Sequence, residues 1–212
     1  MKTRLISISV AVVLISGGIQ VAADASGSTA GDAATGATKV GVCQACHGPN
    51  GNSLVSMWPK LAGQHAKYIQ KQLMDFKSGA RKDPQMNPQA ATLSDEDIRD
   101  IAAYYSKQQQ TPGPAADPAV AEQGKQIYLS GNPATGMVAC SGCHGPKGAG
   151  VGPARFPRIA GQHAQYLEAT LKGFRAETRA NDQNSTMRNV AARMSDKEIT
   201  DVSQYLQGLT TE

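Results

Sequence analysis

The chain repeats itself. Cys43-Gln44-Ala45-Cys46-His47-Gly48-Pro49 recurs as Cys140-Ser141-Gly142-Cys143-His144-Gly145-Pro146. Pro59-Lys60-Leu61-Ala62-Gly63-Gln64-His65-Ala66-Lys67-Tyr68 recurs as Pro157-Arg158-Ile159-Ala160-Gly161-Gln162-His163-Ala164-Gln165-Tyr166, and Leu93-Ser94-Asp95 as Met194-Ser195-Asp196. The offset drifts from 97 to 98 to 101 residues, so the copies differ by short insertions that loops absorb. Two copies at so long a period exclude a solenoid and describe a duplicated unit of ordinary domain size. Whatever fold one half takes, the other must also be able to take.

The periodicity is helical. Ile69, Leu73 and Phe76 fall at i, i+4 and i+7, as do Leu167, Leu171 and Phe174. Ile98, Ile101, Ala102 and Tyr105 make a second apolar face, matched by Ile199, Val202, Ser203 and Leu206. Ser195 with Glu198 reads as a capping box and Ser94 with Asp97 as a weaker one. A helix is expected from about Pro118 to Leu129, with Asp117 as its cap. No useful strand alternation is present, so the expected class is all-α. The segment from Lys107 to Pro118 is polar and proline-bearing and reads as a linker. The longer approach to the second cysteine pair, Gly131 to Gly136, predicts a first helix displaced relative to that of the first copy.

Large apolar side chains are scarce: three Phe and one Trp in 212 residues. Two small domains must therefore find core volume elsewhere. The net charge of +4 comes without any dense Lys/Arg block, which argues against nucleic acid as a partner. Lys2 and Arg4 precede an apolar run from Leu5 to Ile19, followed by the overlapping cleavage patterns Val21-x-Ala23 and Ala23-x-Ala25. This layout predicts a signal peptide over residues 1–23 and a periplasmic protein, with an uncleaved anchor as the alternative. Cleavage removes Lys2 and Arg4 and leaves 19 basic against 17 acidic residues.

All four cysteines lie in the two Cys-x-x-Cys-His pentapeptides. Two thiols three positions apart on one helical turn can each form a thioether with a haem vinyl group, and the next His can bind the iron. Two covalently bound haem c groups are expected, on Cys43 and Cys46 and on Cys140 and Cys143, with His47 and His144 as axial ligands. Such a disc would also supply the missing core. Disulfides would not require the following His, and a thioredoxin-like pair needs a βαβ context. Zinc competes better, through Cys43, Cys46, His47 and His65, with His163 completing the second copy. The adjacency of Cys46 and His47 makes tetrahedral closure awkward.

Of the seven methionines, only Met86 and Met187 recur, each eight residues before the serine that caps the last helix. A loop there can lay a thioether on the open face of each iron. His65 and His163 also recur and would give bis-His coordination instead. Their place at the start of a helix favours a surface or capping role, and a His/Met pair gives the higher potential that suits a carrier.

These motifs resemble the class I cytochromes c, and the duplication with two P-x-x-A-G-Q-H segments resembles the dihaem cytochrome c-four family. The resemblance covers nearly all of residues 31–209. It implies two tandem class I cytochrome c domains, 24–108 and 119–212, joined by a linker over 109–118 and packed about a pseudo-twofold axis. It implies that the carbonyls of Pro59 and Pro157 hold the axial imidazoles. It implies outer-sphere electron transfer without catalysis, from a quinol-oxidising complex to a terminal oxidase or a similar acceptor. A monomer is expected, and peripheral membrane association is compatible with the chain. The alternatives are a dihaem enzyme, a peroxidase or one that oxidises thiosulfate, and a cytochrome subunit of a larger redox complex.

Overall fold

The computed structural model describes residues 30–114 and 116–211, so the signal segment expected at 1–23 lies outside the described residues. The first half forms α1 (Ala33–Lys39), α2 (Gly41–His47), α3 (Ala66–Ser78), α4 (Met86–Ala91) and α5 (Asp95–Ser106). The second forms α6 (Pro118–Ser130), α7 (Ser141–His144), α8 (Ala164–Arg175), α9 (Thr186–Ala191) and α10 (Asp196–Gly208), with a 3₁₀ turn at Gln183–Ser185. Among the described residues the only β pairing is two isolated bridges, Asn132 with Met137 and Val151 with Phe156. None of the described helices is long and apolar enough to cross a membrane.

Each half is built on a crossing of its first and last helices, α1 on α5 and α6 on α10. The crossing is close because a glycine sits at its centre. A Cβ added to Gly36 would lie 2.1 Å from the Asp100 carbonyl oxygen, and one added to Gly124 would lie 2.1 Å from that of Asp201. The last helices begin with full capping boxes, Ser94 with Asp97 and Ser195 with Glu198, so the first is no weaker than the second. Asp117 caps α6 and Pro118 opens it, as the sequence predicts.

The apolar faces expected on α5 and α10 are buried in full. In the first half Val40, Ile69, Ile101, Ala102 and Tyr105 cluster with Cys43 against them. In the second, Tyr128, Met137, Leu167, Met194, Ile199, Val202 and Leu206 cluster with Cys140 against them. The copies divide one volume differently. Tyr128 stands four residues after Gly124 where Val40 follows Gly36, and Leu206 stands where the first half has Tyr105. A large residue has moved from the last helix to the first, with a small one moving the other way.

The first helix of the second half is not displaced. Gly124 meets Asp201 and Tyr205 as Gly36 meets Asp100 and Tyr104. Seven positions separate Gly36 from Cys43 and sixteen separate Gly124 from Cys140. The excess is taken up after α6 in a loop closed by the Asn132–Met137 bridge, whose Asn132 and Met137 exchange both backbone hydrogen bonds at 3.0 Å. The linker also departs from a free spacer. Thr111 donates its N–H to Asn52 Oδ1 at 2.8 Å, Lys60 Nζ donates to the Thr111 carbonyl at 2.7 Å, and Gly113 packs on Gln207.

Gly124→Val should destabilise the second half by about 3 kcal/mol or more, because the clash is with backbone that cannot rotate away. Denaturant unfolding followed by signals from each half checks this: the transition of the second half should move to lower denaturant while that of the first stays.

Candidate functional site

The Cys-x-x-Cys-His segments form the turns α2 and α7, which end in histidines exposed by only 7% each. His47 Nδ1 lies 2.8 Å from the carbonyl oxygen of Pro59, and His144 Nδ1 lies 2.9 Å from that of Pro157. A carbonyl can only accept, so Nδ1 carries the proton and Nε2 keeps its lone pair. Burial pushes both imidazoles below their usual pKa, against the pull of the proline carbonyl. Both stay neutral, as a metal ligand must be.

The four thiols are free. Cys43 and Cys140 pack on the two cores, and burial raises both, Cys140 to about 11. Phe156 lies against the His144 ring with centroids 6.4 Å apart. Two thiols, one of them packed on the core, beside a buried, oriented imidazole are the donor set of a covalently held haem. Among the described residues, no three His, Cys, Asp or Glu side chains converge as a metal cluster.

Met86 opens α4 and Met187 is the second residue of α9, both half-buried. The loop expected around each is thus a short helix, entered through Asp83, which accepts from the Met86 N–H at 2.9 Å, and Asp182, which accepts from the Arg188 N–H at 3.0 Å. Met57 and Met74 are more than half exposed, while Met137 and Met194 belong to the second core.

His65 and His163 do precede helices, but neither side chain caps one. The capping role expected for them is wrong, and the surface role is wrong for His163, which is buried, while His65 is half-exposed. His163 Nε2 lies 2.9 Å from Oγ and 3.0 Å from the carbonyl oxygen of Ser53, across the interface between the halves, and His65 Nε2 lies 2.9 Å from the Ala149 carbonyl. This also removes them from the zinc sets considered above, because each is engaged with the opposite half.

The residues that sequence reasoning passed over are their neighbours. Gln64 Nε2 donates to the Arg158 carbonyl at 2.8 Å and Gln64 Oε1 accepts from Arg158 N at 2.9 Å. Gln162 makes the same pair with Lys60, at 2.9 and 2.8 Å. Farther along, Arg81 Nη2 donates to the Tyr166 hydroxyl at 3.2 Å and Arg179 Nη2 to the Tyr68 hydroxyl at 3.1 Å. Each guanidinium lies 4.5 Å over a phenylalanine ring of its own half, Phe76 or Phe174. Burial pushes the Tyr166 phenol up, but the two guanidiniums outweigh it and bring it down to about 7. The signal was present: the offset of 98 that aligns Tyr68 with Tyr166 also aligns Arg81 with Arg179.

Fold and site together define a tandem pair of c-type haem domains. The cytochrome c family profile matches residues 33–109 and 121–210. Cytochrome c4 of Thiocapsa roseopersicina is 59% identical over 182 residues, covering 85% of this chain and 94% of that protein. The crystal structure of reduced recombinant cytochrome c4 from Pseudomonas stutzeri superposes with a TM-score of 0.83 at 46% identity, over 85% of this chain and 100% of that one. A protein of Stutzerimonas stutzeri named as a thiosulfate dehydrogenase electron acceptor is 42% identical, covering 77% of this chain and 76% of its own. The chain belongs to the cytochrome c family and, within it, to the two-domain cytochrome c4 group. It carries two c-type haems, one on each Cys-x-x-Cys-His segment.

Burial, reinforced by the Lys60 ammonium, lowers the pKa of His163 below its ordinary 6.5 against the pull of the Ser53 carbonyl. The unfolded chain therefore binds the proton more readily, and the stability His163 lends is full above about pH 6.5 and lost as pH falls below it. Melting temperature should drop between about pH 7 and pH 5 more steeply in the wild type than in His163→Gln.

Proposed function

We propose that the protein carries single electrons between redox proteins by outer-sphere transfer, with His47 and Met86 as axial ligands in the first half and His144 and Met187 in the second. The observation that carries this reading is the matched pair of buried imidazoles, each pinned through Nδ1 by a proline carbonyl. Each bound haem supplies an iron that alternates between ferrous and ferric.

The chain's own residues do the rest. Pro59 and Pro157 fix the plane of each imidazole and raise its basicity. Met86 and Met187 hold corresponding places on α4 and α9, where each would offer a thioether to the iron and leave no position for a substrate. Arg81 and Arg179 form no ion pair with a carboxylate among the described residues, and either would be available as counter-charge to a haem propionate. With Met86 and Met187 as ligands neither iron would keep an open position, which favours a carrier over a dihaem peroxidase or thiosulfate-oxidising enzyme. The relative named as an electron acceptor of thiosulfate dehydrogenase supports a role downstream of an oxidising enzyme. A quinol-oxidising complex as donor and a terminal oxidase as acceptor fit the same chemistry.

The reading includes a signal peptide over 1–23, domains over 24–108 and 119–212 with a linker over 109–118, and a monomer in the periplasm. The two family-profile matches, at 33–109 and 121–210, support the domain division, and the charged flank of the amino-terminal apolar run supports the signal peptide.

Acid-acetone extraction should leave two haems on each polypeptide, and recovery of one or fewer would overturn the dihaem assignment. Met86→Ala and Met187→Ala should each abolish one sulfur-to-iron band and let carbon monoxide bind one ferrous iron. His65→Ala and His163→Ala should leave both bands in place. A histidine variant that instead opens an iron to carbon monoxide would show bis-His coordination.

A further inference from the structure

The peptide group joining Pro59 to Lys60 is hydrogen-bonded at both ends. Its carbonyl oxygen accepts from His47 Nδ1 at 2.8 Å, and its N–H donates to Gln162 Oε1, from the opposite half, at 2.8 Å. The peptide group joining Pro157 to Arg158 repeats the arrangement, with His144 Nδ1 at 2.9 Å and Gln64 Oε1 at 2.9 Å. A clasp between the halves could have been built at many points of the interface. In both copies it is built on the one peptide group whose carbonyl orients the axial histidine.

We propose that Gln162 tunes the potential of the haem on Cys43 and Cys46, and that Gln64 tunes that of the haem on Cys140 and Cys143, each acting through this peptide group from the other domain. The inference rests on the ligation by His47 and His144 proposed above. A peptide is planar and conjugated, so donating its N–H to an amide oxygen shifts electron density onto its carbonyl. The more negative carbonyl draws harder on Nδ1–H and makes Nε2 a stronger donor to the iron. A stronger donor favours the ferric state. Each glutamine therefore lowers the potential of the opposite haem.

The geometry keeps the acceptor oxygen in place. Gln162 Oε1 also accepts from the His163 N–H at 3.1 Å while its Nε2 donates to the Lys60 carbonyl at 2.9 Å. Gln64 Oε1 accepts from the His65 N–H at 3.0 Å while its Nε2 donates to the Arg158 carbonyl at 2.8 Å. A flipped amide would set donors against donors and acceptor against acceptor. Burial preserves the polarisation: Gln64 is 8% exposed, Gln162 5% and Lys60 5%. Gln64 and Gln162 touch no iron ligand directly and act as positioning residues.

The test is a redox titration of the full-length dihaem protein by NMR, with haem methyl resonances assigned to each domain. Gln162→Met keeps the length of the side chain and removes its acceptor oxygen. It should raise the potential of the haem on Cys43 and Cys46, changing its reduced-to-oxidised ratio at fixed ambient potential by about threefold, or ~28 mV at ~59 mV per tenfold. The other haem should not move. Gln64→Met should do the converse, raising only the haem on Cys140 and Cys143. In the ferrous state the Nδ1–H resonance should shift at His47 in the first variant and at His144 in the second.

An interface that merely opened would hydrate both haems in either variant. Both potentials moving together, the haem of the substituted half moving alone, or neither moving would each overturn the relay, and either variant alone suffices if the other fails to fold. The ligation reading is checked separately, on the wild type. Ring-current-shifted imidazole resonances from His47 and His144 must be present there. Their absence would sink the ligation, whereas their presence with unmoved potentials would sink the relay alone.

Discussion

A small helical domain whose buried cluster amounts to Val40, Ile69, Ile101, Ala102 and Tyr105 has no means of closing a core from its own side chains. The missing volume is a flat apolar disc, and the rest of the structure is arranged to leave room for it. The first and last helices cross at glycines, so their backbones meet and the layer beside them is given to the site. The iron-facing histidine directly follows the second cysteine, and its orientation is fixed by the carbonyl of a loop proline. Cys43 and Cys140 pack on the cores, so that attachment ties the disc to the helices that need it.

Helix faces, caps and the haem-bearing motif were legible because each is written in consecutive or regularly spaced residues. Ile98, Ile101 and Tyr105 share a face whatever they pack on. The partners of Gln64, His65, Gln162 and His163 were not legible, because they lie about a hundred residues away and depend on how the halves dock. A histidine just before a helix is locally indistinguishable from a cap. What separates the two is an acceptor on another domain, such as Ser53 or Ala149. The placement of α6 was misjudged for a related reason. Counting back from the cysteines assumes a fixed path, whereas the helix is positioned by the contact of Gly124 with Asp201 and the loop takes whatever length remains.

The two copies have kept their scaffold while redistributing its parts. Tyr128 donates its hydroxyl to the Gly145 carbonyl, directly after the axial histidine of its own half. Tyr105 fills the corresponding space from the opposite helix, where burial first, and then the neighbouring Cys43 and Tyr104, push its hydroxyl pKa up. Volume is nearly conserved, and each half keeps one tyrosine hydroxyl in a different place. Such a swap leaves packing nearly unchanged while making the surroundings of the two haems electrostatically different.

The interface has the form of a homodimer contact within one chain. Gln64 meets Arg158 as Gln162 meets Lys60, and Tyr68 meets Arg179 as Tyr166 meets Arg81. Residue i touching j while the counterpart of j touches the counterpart of i is the signature of an isologous patch, which duplication supplies without new design. The segment Pro59–Tyr68 and its repeat provide much of it: the carbonyl on the axial imidazole, the glutamine clasp, the crossing histidine and the tyrosine. Lys71, Gln72 and Asp75 add bonds to Arg179 and Asn181. The linker need only keep the halves at high effective concentration, which its anchorage on Asn52, Lys60 and Gln207 does at little entropic cost. A surface that docks the domains and a loop that orients the iron ligand are therefore the same residues, so neither can change without the other.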